Sequence, residues 1–250
     1  MFCTKYYIML CRALNQIMRE RYIYHKGDDE FAIASMKKYF DKKQEMDEFL
    51  KKLIAPFVVD KNLKILDAGC GIGHEIFFLN KLSPCSTFLG VDQTPGYIKE
   101  AKMLQRSSEN ISFEVGDVQD LPIKYPKAFN ISVSRGVISW LPYYESFVKA
   151  LMDTTKDHIF ISSLFYDGDI DFITQAREFK KESGRSGFSE YRNVYSLPRF
   201  KEFVIGLGAK NVQVDDFDIG IDLPRGPIDV LGTYTEKLLN GKRLQISGAV

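Results

Sequence analysis

The stretch LKILDAGCGIGHEI, residues 63–76, decides how this chain is to be read. Leu63, Ile65 and Leu66 make a short apolar run that reads as a buried strand, and Asp67 closes it. Gly69, Gly71 and Gly73 then alternate through a tight loop, and a helix-like pattern starts at His74. Glycine has no Cβ, so its backbone can take a positive φ and come close to a bound group. A strand, a glycine loop and a helix in that order predict a ligand cradle.

Outward from this stretch the same alternation continues. Apolar strand-like runs fall at 86–92, 111–117, 129–136 and 158–165. Helix-like runs fall at 94–108 and 143–155 between them. Strands alternating with helices at this spacing predict an α/β fold with a doubly wound, mostly parallel sheet. Ahead of the core, residues 2–24 and 30–57 carry apolar residues at helical spacing and predict a helical cap, with Asp28 or Asp29 as the N-cap of its second helix. Residues 166–200 have no clean period and read as an insertion after the fifth strand. The pattern then predicts a helix at 197–208, a long strand at 211–223, a helix at 234–243 and a short strand from Arg243. The economical division is one domain over 1–250: cap to residue 60, cofactor core 61–165, acceptor-side insertion 166–200, and the rest of the sheet from 201.

Bulk properties narrow the ligand. The 250 residues carry 34 Lys and Arg against 33 Asp and Glu, a formal charge of +1. Binding to nucleic acid draws on a clustered basic surface, so the expected partner is a small molecule. No run reaches the roughly 18 apolar residues of a membrane span. The four cysteines form no C-x-x-C pair and no zinc-like grouping with the three histidines. These features predict a cytoplasmic protein with reduced thiols, no metal site and no membrane partner.

The glycine loop itself excludes two ligand classes. A Walker loop ends in G-K-[ST], whereas His74 and Glu75 follow the last glycine here. A nicotinamide loop is G-x-G-x-x-G, whereas this one is G-x-G-x-G. Asp67 beside a pyrophosphate would be repelled; beside an ammonium group it would be useful.

With ILDAGCGIG, LGVD ending at Asp92 and EVGDVQDLP containing Asp117, the sequence resembles the class I S-adenosylmethionine-dependent methyltransferases over about residues 62–165. The resemblance implies S-adenosyl-L-methionine as cofactor. It places Asp67 and the Gly69–Gly73 backbone, including Cys70, at the methionine part. Asp92 and Gln93 would meet the ribose, and Asp117 with Val118 the adenine. Arg135, Gly136 and Val137 would lie near the methionine end and the transferring methyl, and Tyr39 of the cap would cover the cofactor.

Acceptor contacts are expected from the strand ends and the insertion: Trp140, Tyr143, Tyr166, Asn193 and Tyr195. No residue pair identifies a catalytic base. The expected activity is methyl transfer to a small polar metabolite, with oxygen as acceptor, and the tail looks like that of glycan and capsule-pathway methyltransferases. A non-catalytic adenosylmethionine- or nucleotide-binding module, or a partner subunit, is the alternative. The family sheet normally ends in a hairpin, and here only residues 243–250 follow the last helix-like run. Either these form a shortened last strand or the chain lacks its natural end. An exposed sheet edge leaves a homodimer open.

Overall fold

Ile65, Leu66 and Ala68 are buried on both faces of the first strand, β1 (Lys64–Ala68), and this two-sided burial is what a parallel sheet under two helical layers requires. The computed structural model describes residues 29–41, 45–105, 108–179, 186–217, 234–239 and 242–247. The chain divides into two compact units, 1–212 and 213–250.

The described part of the first unit starts with α1 (Asp29–Asp41) and α2 (Glu45–Val58), so the helical run expected over 30–57 is two helices. The helix expected over 2–24 and the cap at Asp28 lie outside the described residues. After β1 come α3 (His74–Leu82), β2 (Thr87–Asp92), α4 (Pro95–Gln105) and β3 (Ile111–Val115). A short helix α5 (Leu121–Lys124) leads to β4 (Phe129–Arg135), α6 (Glu145–Thr154) and β5 (Thr155–Ser162). The strands stand in the order β3-β2-β1-β4-β5, every pair parallel. The chain steps outward through β2 and β3, then crosses back to place β4 on the other side of β1. That reversal opens a crevice at the carboxyl ends of β1 and β4, where sheets of this kind bind ligands.

The core divides at the sheet. One face packs Leu66, Leu89, Ile138, Phe147, Leu151 and Tyr195; the other packs Ile54, Val58, Ile65, Ile76, Leu79 and Phe113. Each such aliphatic or aromatic side chain contributes about 1.5–3 kcal/mol on burial. Ile54 and Val58, both 0% exposed, tie α2 to the second face.

Several boundaries differ from the expectation. β5 starts at Thr155, because its hydroxyl donates to the Leu151 carbonyl at 2.6 Å and pairs with the Ser132 hydroxyl, so the helix passes directly into the strand. The insertion is not shapeless. It contains β6 (Phe165–Tyr166), β7 (Gln175–Phe179), β8 (Ser186–Tyr191) and β9 (Tyr195–Ser196), with β7 and β8 an antiparallel pair and β6 parallel to β9. α7 (Leu197–Gly206) follows as expected, its N-terminus capped by Ser196.

The tail corrects two expectations. Residues 211–217 are not a strand, and 218–233 lie outside the described residues. The helix expected over 234–243 is not found at 234–239 or 242–243: β10 (Tyr234–Leu239) and β11 (Lys242–Ser247) pair antiparallel. The sequence between them is Asn-Gly, the dipeptide most favoured in two-residue hairpin loops, and that local signal outweighs the helical spacing. The two strands form a two-stranded sheet.

Candidate active site

β1 delivers Asp67 to the crevice between Gly90 of β2 and Val133 of β4, and the glycine loop turns directly over it. The turn is pinned by Gly69 and Cys70, whose N–H groups both donate to the Val91 carbonyl, at 2.8 and 3.1 Å. Gly69, Gly71 and Gly73 have φ of +78°, +53° and +88°, a left-handed region that costs other residues about 1–2 kcal/mol. A Cβ at Gly69 would overlap the Val137 side chain, and one at Gly73 would lie 2.6 Å from the Phe113 ring. A Cβ at Gly71 would reach 3.2 Å from Met36 Sδ, which places α1 over the loop.

The expected acidic residues stand at successive strand tips. Asp92 braces the loop: its Oδ2 accepts from Gly71 N–H at 3.0 Å and its Oδ1 from Thr94 N–H at 2.8 Å. A carboxylate offers about four lone-pair sites, so these bonds leave acceptor capacity for a ligand hydroxyl. Asp117 caps the turn after β3, its Oδ1 accepting from Gln119 N–H at 2.9 Å. Val118 is buried, while Gln93 is exposed. Gly136, with φ +69°, follows β4, and its N–H donates to the Ser162 carbonyl. Burial pushes the Cys70 thiol well above its usual range, aided by Asp67 and Asp92, which leaves it an inert small side chain.

Asp67 is the unusual group. It is 2% exposed, and its Oδ2 is buried without a hydrogen-bond partner. Burial raises its pKa well above the usual carboxylate range; Glu75 and then Asp92 add to the rise, and Arg135 opposes it. A buried acceptor left unsatisfied costs about 1–3 kcal/mol, which a cationic ligand placed against it would relieve. An orphaned carboxylate under a loop with no room for a Cβ at Gly69 or Gly73 fits the ammonium-bearing end of S-adenosylmethionine.

The Arg135 guanidinium sits within a cluster of charged groups. Its Nη1 donates to Asp47 Oδ1 at 2.7 Å, its Nε lies 2.6 Å from Glu75 Oε1, and its Nη2 is 3.4 Å from His74 Nδ1. His74 Nε2 in turn lies 3.5 Å from Asp47 Oδ2. Asp47, His74 and Glu75 could gather around a metal, yet both carboxylates are already matched by the guanidinium. Asp47, Glu75 and Met36 are site residues that the sequence reading missed. Arg135 at a strand end demands a counter-charge, and Glu75, in the first turn of α3 beside the glycine loop, was a readable candidate. Asp47 was not, since it pairs across 88 positions.

Two expected acceptor contacts need correction. Asn193 and Tyr195 are 0% and 1% exposed, and both are satisfied inside the protein. The Asn193 amide donates to the Leu141 carbonyl at 2.6 Å and accepts from Thr174 N–H, and the Tyr195 hydroxyl lies 3.0–3.1 Å from the Leu141 and Ile138 carbonyls. They clamp the segment after β4 to the insertion rather than facing an acceptor. Trp140 and Tyr143 are 37% and 58% exposed beside that clamp, with the Arg192 guanidinium 5.4 Å over the Trp140 ring. The Tyr166 hydroxyl accepts from Ile170 N–H at 3.0 Å. Tyr39 lies on α1, but its side chain is outside the described residues.

Among the described residues no helix is long and apolar enough to cross a membrane. A trans-aconitate 2-methyltransferase of Methylobacterium nodulans is 31% identical over 88 residues, 35% of this chain and 32% of that protein. A tRNA U34 carboxymethyltransferase of Campylobacter fetus is 27% identical over 155 residues, 59% of this chain and 50% of that protein. The chain thus spans a third to a half of the length of these relatives. The crystal structure of the N-terminal domain of EvdMO1 with SAH bound shares the fold at a TM-score of 0.50 and 15% identity, covering 68% of this chain and 73% of that one. The methyltransferase domain family matches residues 59–217, which includes the whole five-stranded sheet and the glycine loop. The chain belongs to that family, of the class I, S-adenosylmethionine-dependent type.

Proposed function

We propose that the protein transfers a methyl group from S-adenosylmethionine to an oxygen atom of a small polar metabolite. The observation that carries this reading is the buried, partnerless Asp67 Oδ2 at the tip of β1, under a loop whose Gly69 and Gly73 leave no room for a Cβ. Asp67 and the Gly69–Gly73 backbone hold the amino-acid end of the cofactor, Asp92 with Gln93 the ribose, and Asp117 with the Val118 backbone the adenine. When bound, S-adenosylmethionine supplies a methyl on a sulfonium, a very good leaving group.

The chain's own contribution is alignment and exclusion of water. Near-attack geometry is worth on the order of 7–11 kcal/mol at best. Met36 over Gly71 and the Phe40 ring against His74 cover the loop from α1, which keeps water from the cofactor end. Trp140, Tyr143 and Tyr166 flank the acceptor side, held by the Asn193–Tyr195 clamp. Tyr144 and Tyr195 are excluded as bases: burial pushes the first phenol up to about 12 and the second also upward, so both keep their protons at neutral pH.

The formal charge of +1 supports a small acceptor, since it supplies no general attraction for nucleic acid. The relative named for trans-aconitate lends the same support. Sugar derivatives of the glycan and capsule type fall within this acceptor class and are the first to assay. Calorimetry with S-adenosylmethionine, followed by incubation with methyl-labelled cofactor and metabolite fractions, tests the proposal. Micromolar binding and label in the small-molecule fraction support it. Absence of binding refutes the cofactor assignment, and label confined to macromolecules refutes the acceptor class.

A further inference from the structure

The family match begins at residue 59, yet the ion cluster over the glycine loop is completed by Asp47, on α2 ahead of that match. Asp47 is 7% exposed and offers both of its oxygens inward: Oδ1 accepts from Arg135 Nη1 at 2.7 Å, and Oδ2 lies 3.5 Å from His74 Nε2. Glu75 holds the other side of the same guanidinium, at 2.6 Å from Nε. A guanidinium is a planar fork, so carboxylates on two of its nitrogens determine both its place and its orientation. Without Asp47 the guanidinium would keep Glu75 and the longer contact to His74 but lose its second carboxylate.

Arg135 is also the cation whose field reaches Asp67, a buried carboxylate whose Oδ2 has no hydrogen-bond partner. Asp67, Glu75 and Asp92 repel one another across this space, and Arg135 offsets them. The placement of one guanidinium therefore decides how strongly the crevice attracts a cation. A surplus of negative charge that is too large keeps Asp67 protonated; one that is too small leaves nothing to attract an ammonium group.

We infer that Asp47 is a positioning residue of the cofactor site: by clamping Arg135 against Glu75 it tunes the crevice for the amino-acid end of the ligand, and α2 is a working part of the site. This rests on the cofactor reading above. A purely structural role for α2 would act through Ile54 and Val58, which anchor it in the core without reaching the cluster.

The test titrates S-adenosylhomocysteine and adenosine separately into the full chain carrying Asp47, Asp47→Asn or Asp47→Ala, with Tm recorded for each. Adenosine lacks the amino-acid tail and reports the rest of the site. Loss of one charge-assisted contact is expected to weaken S-adenosylhomocysteine about tenfold or more in Asp47→Ala. Asp47→Asn keeps an oxygen for Arg135 without the charge, so its loss should be smaller, and adenosine should stay within about threefold in both variants. If Asp47→Ala does not fold, the ratio of the two ligands in Asp47→Asn carries the test. Parallel losses for both ligands, or unchanged affinity for both, overturn the inference and leave the cofactor reading intact. A wild-type chain that binds neither ligand overturns both.

Discussion

Replacing Asp67 by Asn should move stability and ligand affinity in opposite directions. In the free protein the carboxylate is buried, with one oxygen unsatisfied, and its pKa is raised chiefly by burial, then by Glu75 and Asp92. An aspartate in the unfolded chain titrates near about 3.9. Between that value and the raised native value the unfolded chain has lost a proton that the native state still holds. Native stability therefore falls as pH rises through this window and stays lowered above it. Asn carries no charge at any of these pH values, so the variant should lack this slope. At neutral pH it should gain about 1–3 kcal/mol, the penalty of an unsatisfied buried group. For a chain of this size each kcal/mol raises Tm by about 2–4 °C. The ligand side runs the other way. A hydrogen bond to a charged group is worth about 1.5–3 kcal/mol, so S-adenosylhomocysteine should bind roughly 10- to 150-fold more weakly. Thermal melts of the ligand-free variant from pH 4 to 8, paired with calorimetry, read both effects. A variant less stable than wild type at neutral pH, or one with unchanged affinity, would refute the placement of an uncompensated charge that the ligand relieves.

Asp92→Asn replaces one of two oxygens that accept from the Gly71 and Thr94 N–H groups, so it should lower Tm by a few degrees and weaken adenosine as well as S-adenosylhomocysteine; a loss restricted to the longer ligand would contradict the ribose assignment. Gly71→Ala forces a Cβ into the left-handed region and to within 3.2 Å of Met36 Sδ, and should cost about 1–2 kcal/mol in a denaturant melt, with faster hydrogen exchange in α1. Tyr195→Phe removes a buried hydroxyl shared with Asn193 and two carbonyls; it should cost about 1–3 kcal/mol of stability while KM for an identified acceptor changes little. A raised KM at unchanged Tm would return Tyr195 to the acceptor pocket.

The sheet and its crevice were legible because their signals are local. Each buried strand is an apolar run of a few residues, each helix a period, and Gly69, Gly71 and Gly73 are required by positive φ whatever surrounds them. Asp67, Asp92 and Asp117 sit at strand tips for the same reason: the chain leaves the sheet there, and a short acceptor satisfies the turn, as Asp92 and Asp117 do. The tail misled because helical spacing over 234–243 competed with an Asn-Gly turn signal, and antiparallel pairing between β10 and β11 decided for strand. Asn193 and Tyr195 misled because a polar aromatic run looks alike whether its groups face a pocket or backbone carbonyls.

By itself, then, the sequence determined the order of strands and helices in the five-stranded sheet, the turn that cradles a ligand and the sign of charge around it. Only the tertiary structure brought Asp47 to Arg135, closed the buried ring with His74 and Glu75, and left one oxygen of Asp67 unpaired. Ion pairing and burial depend on distance in space, and a separation of 88 residues along the chain carries no trace of a separation of 2.7 Å.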